Sequence, residues 1–199
     1  MSAAKQIIAA DIATDRAWSA RLRTVLADNA DVAERNGFDR PTWQNVPAKL
    51  AFALTEIREA DGAASSDLGD PLAWTTEILD YVLRVGAVLV VVFPSWAVRA
   101  TRDGVSAAAA RRSALWCPAW TSLRPIAHAT CDAIQQWRGG EERRAAHVAT
   151  HLECGIRDAL MLYASATGHD ADRVLDDLAA VVERNRRRKA RHGHAESAG

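Results

Sequence analysis

Cysteine is scarce in these 199 residues: Cys117, Cys131 and Cys154 form no CxxC pair, and their odd count argues against a disulfide framework. That usage fits a reducing, cytoplasmic setting. Net charge is also lacking. The 25 basic residues balance 25 acidic ones, so no global field draws the chain to nucleic acid or to anionic lipid. No apolar run approaches the roughly 20 residues that span a bilayer. The longest, residues 85–93, suits a buried core helix. The start of the chain has no apolar core of a signal peptide, so export is not expected. Convincing period-two alternation is missing too, which argues against sandwiches and barrels.

What is present is helical periodicity almost everywhere, in a length that suits one domain with a real core. A first helix is expected over residues 14–35, stopped by Gly37 as a C′ glycine. A loop over 38–46 carries Trp43 and Asn45, and Pro47 opens a second helix with the stripe Leu50, Ala53, Leu54 and Ile57. Residues 62–69 read as a small-residue linker. Asp70-Pro71 reads as an N-cap and N1 pair that starts a third helix running to Phe93, where Pro94 ends it. Residues 95–140 read as short helical pieces broken at Gly104, Pro118, Pro125 and Gly139-Gly140. A longer helix covers 141–166 and stops at Gly168. Asp170 caps the last one, with Val174, Leu175, Leu178, Val181 and Val182 inward. The stripe vanishes after Arg184, so 185–199 reads as a basic tail ordered only by a partner or ligand.

Two acidic pairs stand out: Glu56 with Glu59, and Glu77 with Asp80. Each is spaced i,i+3, which puts both side chains on one helix face, roughly 5–6 Å apart at Cβ. One such pair is ordinary on a solvated helix. The second lies among Trp74, Ile78, Leu79, Val82 and Leu83, where acidic residues are not mere solubilisers. Two such helices packed together would converge four carboxylates, which repel unless a cation sits between them. An all-oxygen cluster suits Mg²⁺ or Mn²⁺. The pattern points to metal-dependent chemistry on phosphates.

Three segments carry a resemblance. Residues 34–38 (Glu-Arg-Asn-Gly-Phe), 42–50 (Thr-Trp-Gln-Asn-Val-Pro-Ala-Lys-Leu) and 55–60 (Thr-Glu-Ile-Arg-Glu-Ala) resemble the first signature of MazG-like proteins. The segment Glu77-Ile78-Leu79-Asp80 with Arg84 resembles the second. Asn185, Arg188, Arg191, His192 and Gly193 resemble the Asn-x-x-Arg-x-x-Arg-His-Gly tail of that family. The family belongs to the all-α nucleoside triphosphate pyrophosphohydrolases. The resemblance spans about residues 30–93 and 170–193, and leaves 95–168 as a helical elaboration. Many relatives have a Glu directly before the first signature Glu, where this chain has Thr55.

The resemblance implies an all-α four-helix bundle commonly completed by a second subunit, as a homodimer or pair of dimers. It implies Mg²⁺, or Mn²⁺, held by Glu56, Glu59, Glu77 and Asp80. Cleavage of a nucleoside triphosphate to monophosphate and pyrophosphate would follow, with Glu59 as a candidate general base. Lys49 and Arg84 are placed to reach a phosphate, or to form surface ion pairs. Trp43 and Asn45 can read a base, although Trp43 equally suits core packing. The tail residues Asn185, Arg188 and His192 are implied to hold triphosphate. His147, His151 and Cys154 lie on one helix face with zinc-like spacing, but HExxH and a second nearby cysteine are missing, so a half-buried face is the better reading. Two other classes stand beside the enzyme. One is a catalytically weak nucleotide-binding or interaction module. The other is a nucleic-acid binder using Arg186, Arg187, Arg188, Lys189 and Arg191, which would show steep salt dependence.

Overall fold

The computed structural model describes residues 3–65, 73–96, 102–111, 120–137 and 144–192, with the side chains of 3–12, 120–121 and 188–192 outside that description. Among the described residues the fold is all-α: α1 (Ala3–Arg35), α2 (Val46–Ala64), α3 (Ala73–Val92), α4 (Arg102–Ala110), α5 (Trp120–Trp137), α6 (Ala145–Thr167) and α7 (Ala171–His192). No helix among them is long and apolar enough to cross a membrane.

Local chemistry explains most helix ends. Gly37 and Gly168 take positive φ, 79° and 74°, and close α1 and α6 as C-terminal glycines. The Gly168 amide donates to the Ala164 carbonyl at 2.8 Å. Asp170 caps α7 as expected, its Oδ1 accepting from the Arg173 amide at 2.9 Å. Pro47 lies in the first turn of α2, where a missing amide costs nothing.

Several expectations need correction. Helix α2 continues through Gly62 to Ala64, into the stretch read as linker. Neither Gly104 nor Pro125 breaks its helix: Gly104 lies within α4 and Pro125 within α5. Pro125 forfeits one hydrogen bond near the start of α5. The buried face of that helix, Leu123, Ile126, Ala127, Ala129 and Ala133, offsets the loss. The expected basic tail is helical through His192. Glu183 supports that turn by pairing with Arg186 at 2.7 Å and Arg187 at 2.9 Å. The Asp70 cap, Pro118, Gly139-Gly140 and Cys117 lie outside the described residues.

Helix α2 packs chiefly on α3, and α5 on α6; α3 also meets α6, and α2 meets α5. These four contacts close a ring within one chain. The segment expected to be an elaboration thus supplies two of the helices that cover the acidic pair of helices. Helix α1 lies across α3 and α7 and buries Trp18, Leu22, Leu26 and Val32. Directional bonds pin these packings. Trp18 Nε1–H donates to the Ala171 carbonyl at 3.0 Å, joining α1 to α7. Buried Asn29 donates to the Leu83 carbonyl at 3.1 Å, joining α1 to α3. The Tyr81 hydroxyl meets Thr130 Oγ1 at 2.8 Å, joining α3 to α5. Tyr81 also explains Gly155, because a Cβ there would collide with its hydroxyl.

Candidate metal centre

The buried stripe of α2 comprises Val46, Leu50, Ala53, Glu56, Ile57 and Ala60. Glu56 therefore points into the contact with α3 and is only 4% exposed. Glu59, nearly one turn on, stands at the edge of that stripe and is exposed. On α3, Ile78, Leu79, Tyr81 and Val82 are buried, and Glu77 and Asp80 are half-buried between them.

One oxygen each from Glu56, Glu59 and Glu77 lies within 4.8 Å of the other two. Asp80 stands outside that group but acts on it through its charge. Burial raises the Glu56 carboxyl to about 7; Arg84 opposes the rise, and Asp80, Glu59 and Glu77 add to it. Glu77 is raised too, by burial first and by Asp80 second, while a hydrogen bond with Glu56 lowers it. Three of the four acidic side chains singled out by spacing therefore converge, and the fourth joins them electrostatically.

Arg84 Nε sits 2.6 Å from Glu56 Oε1. This pair, with Glu59 near Glu77, shows that α2 and α3 run antiparallel. The guanidinium marks a position where a cation is held against the buried carboxylate. An all-oxygen, carboxylate-rich donor set with a cation already against it fits a hard divalent ion.

The other candidates lie elsewhere or are engaged. Lys49 is half-buried two turns before Glu56 and makes no ion pair with the carboxylates among the described residues. Trp43 packs its ring edge-on to Phe93 at 5.9 Å and tilted to Trp137 at 6.1 Å. Its carbonyl accepts from Trp137 Nε1–H at 3.0 Å. Asn45 spends its side chain on the loop, accepting from the Thr42 amide at 2.8 Å and donating to the Arg40 carbonyl at 3.0 Å. The Asn185 carbonyl accepts from Asn36 Nδ2 at 3.3 Å, so the first and third motifs meet in the fold. Arg188 and His192 continue α7, their side chains outside the description. His147, His151 and Cys154 join no metal-capable group among the described residues, and His151 lies 4.0 Å from Asp132 instead.

Glu153 was missed. It is 3% exposed on the apolar face of α6, beside Leu152 and Ile156. The helical spacing of Ala149, Ile156 and Leu160 was the available signal, because it puts position 153 on that face. Asn29 gave no signal, and the motif that includes Asn36 did not reveal its bond to Asn185, since each acts through a contact distant in sequence.

In comparisons with protein-family models, curated proteins and solved structures, nothing matches this chain. The family resemblance therefore rests on its three motifs alone.

Proposed function

We propose that this protein is a divalent-cation-dependent nucleoside triphosphate pyrophosphohydrolase of the MazG-like kind. One observation carries the reading: three carboxylates from two antiparallel helices converge within 4.8 Å around a buried Glu56. Glu56, Glu59 and Glu77 would hold the ion, with Asp80 beside them. A divalent ion bound there supplies charge neutralisation for a polyphosphate and acidifies a water for attack at phosphorus.

The chain's own groups divide the remaining work. Buried Glu56 and half-buried Glu77 are fixed by packing, so they position. Exposed Glu59 faces solvent beside them and, when it serves as general base rather than as a ligand, would take a proton from an attacking water. Burial against α3 excludes water from one side of the centre and strengthens each charge interaction. The homodimer or pair of dimers belongs to this reading as well, and solution mass tests it.

The test is pyrophosphate release from a panel of standard and modified triphosphates with Mg²⁺. Release accompanied by the monophosphate supports the reading. Release of inorganic phosphate alone, or no turnover with any triphosphate and either Mg²⁺ or Mn²⁺, overturns it.

A further inference from the structure

We infer that Arg84 is the exchangeable cation of the acidic centre: it holds Glu56 in the metal-free protein and passes to a substrate phosphate when a divalent ion takes that place. The inference rests on the metal reading above and adds a role that the carboxylates alone do not imply.

Exposure within the pair is unequal. The Glu56 side chain is 5% exposed and fixed in the α2–α3 contact, whereas the Arg84 side chain is 44% exposed. Only the arginine can leave, by rotating outward from the surface of α3. It cannot leave by losing its proton, because a guanidinium stays charged at any working pH. It therefore competes with a metal ion through position.

Charge balance sets the direction of exchange. Glu56, Glu59 and Glu77 converge within 4.8 Å, and the charge of Asp80 adds to that cluster. One guanidinium compensates this poorly, while a divalent ion brings twice the charge in a smaller volume. Held on one buried carboxylate the two cations repel, so a bound ion favours release of the guanidinium. Once displaced, Arg84 remains one helical turn beyond Asp80, on the same face. Its planar fork then matches two oxygens of a phosphate brought in with the metal. The consequence is a pair of opposite effects: Arg84 weakens binding of the bare ion and strengthens binding of ion plus polyphosphate. A purely structural ion pair predicts no such split.

Calorimetric titration of the full chain separates the cases. Mn²⁺ alone, then Mg²⁺ with inorganic tripolyphosphate, is titrated into the unsubstituted protein, Arg84→Met and Arg84→Lys. Arg84→Met should bind Mn²⁺ at least threefold more tightly and Mg²⁺–tripolyphosphate at least tenfold more weakly. Arg84→Lys, which keeps the charge but loses the fork, should bind Mn²⁺ nearly as the unsubstituted protein does, with tripolyphosphate affinity between the other two. Should Arg84→Met fail to fold, the Arg84 Nε–H resonance of the unsubstituted protein serves instead. It should move to the free-guanidinium position when Mg²⁺ is added. Unchanged or weaker Mn²⁺ binding by a folded Arg84→Met, or an Nε–H signal indifferent to Mg²⁺, overturns the exchange while leaving the metal reading intact. Absence of Mn²⁺ binding by the unsubstituted protein overturns both.

Discussion

Two carboxylate sites in this molecule have opposite economies. At the α6–α7 corner, Asp177 accepts from the Tyr163 hydroxyl at 2.9 Å, meets His169 Nδ1 at 2.6 Å and pairs with Arg173 Nε at 3.3 Å. One acid there is surrounded by three donors, and Tyr163 also stacks edge-on against His169. In the α2–α3 contact the ratio is reversed: three converging carboxylates and nearby Asp80 face the guanidinium of Arg84. The first site is satisfied within the chain and reads as a fastener. The second brings three carboxylates within 4.8 Å of one another against the Arg84 guanidinium, and such a group could hold a metal ion.

Four substitutions or conditions test that contrast. The largest effect belongs to Glu56→Gln, which keeps the shape of a buried ligand and removes its charge. Pyrophosphate release should fall by more than about 100-fold, beyond the cost usual for losing an outer-shell partner. The metal-free protein should melt at the same temperature or higher, because one repulsive charge is gone. Near-normal turnover with unchanged Mg²⁺ dependence would remove Glu56 from the centre.

Next comes Asp177→Ala at the corner, which orphans the Tyr163 hydroxyl and its neighbours. Stability should drop by about 2–3 kcal/mol in denaturant unfolding, the scale of hydrogen bonds to a charged group. Mn²⁺ affinity should not change. A loss of Mn²⁺ binding at unchanged stability would show that the two sites are coupled and that the contrast is false.

A smaller effect is expected from pH on the metal-free protein. Glu56 has an ordinary value of 4.5 and lies at about 7 when folded, so the folded state holds this proton more tightly. The stability so conferred is complete below pH 4.5 and is lost as pH rises through 7, by roughly 1–3 kcal/mol. Glu56→Gln should flatten this decline. A slope of the same size in that variant would place the titration elsewhere.

The smallest change in stability is expected when the chain is cut after Arg187. The buried stripe of α7 ends at Val182, so unfolding should shift by less than about 0.5 kcal/mol. If Arg188 and His192 hold triphosphate, KM should rise severalfold and its salt dependence weaken. Unfolding of the shortened chain would make the end of α7 structural.

Much of the framework was legible because its causes act within a turn or two. Gly37 and Gly168 stop helices by taking positive φ, and Asp170 caps through an amide three residues on. The spacing of Val174, Leu175, Leu178, Val181 and Val182 put all five inside. The i,i+3 spacing of each acidic pair also placed it on one face. Where local rules failed, packing overrode propensity: Pro125 stays inside α5 because the buried face of that helix outweighs one lost bond. The end of α7 stays helical because pairs such as Glu183–Arg187 form only once the helix exists.

The amino-acid order by itself determined a helical chain, most of its helix ends, and two pairs of acidic residues that must each share a face. It did not determine that these faces meet. That depends on how α2 packs against α3, set by interlocking apolar side chains such as Leu50, Ala53 and Ile57 on one helix and Ile78 and Val82 on the other. Only the tertiary structure decided that Glu56 is buried while Glu59 is exposed, that Arg84 lies against Glu56, and that α5 and α6 close the ring. The physical reason is range. Hydrogen bonds and helical spacing act over a few residues of chain, whereas burial and charge act through space between segments that sequence separation says nothing about.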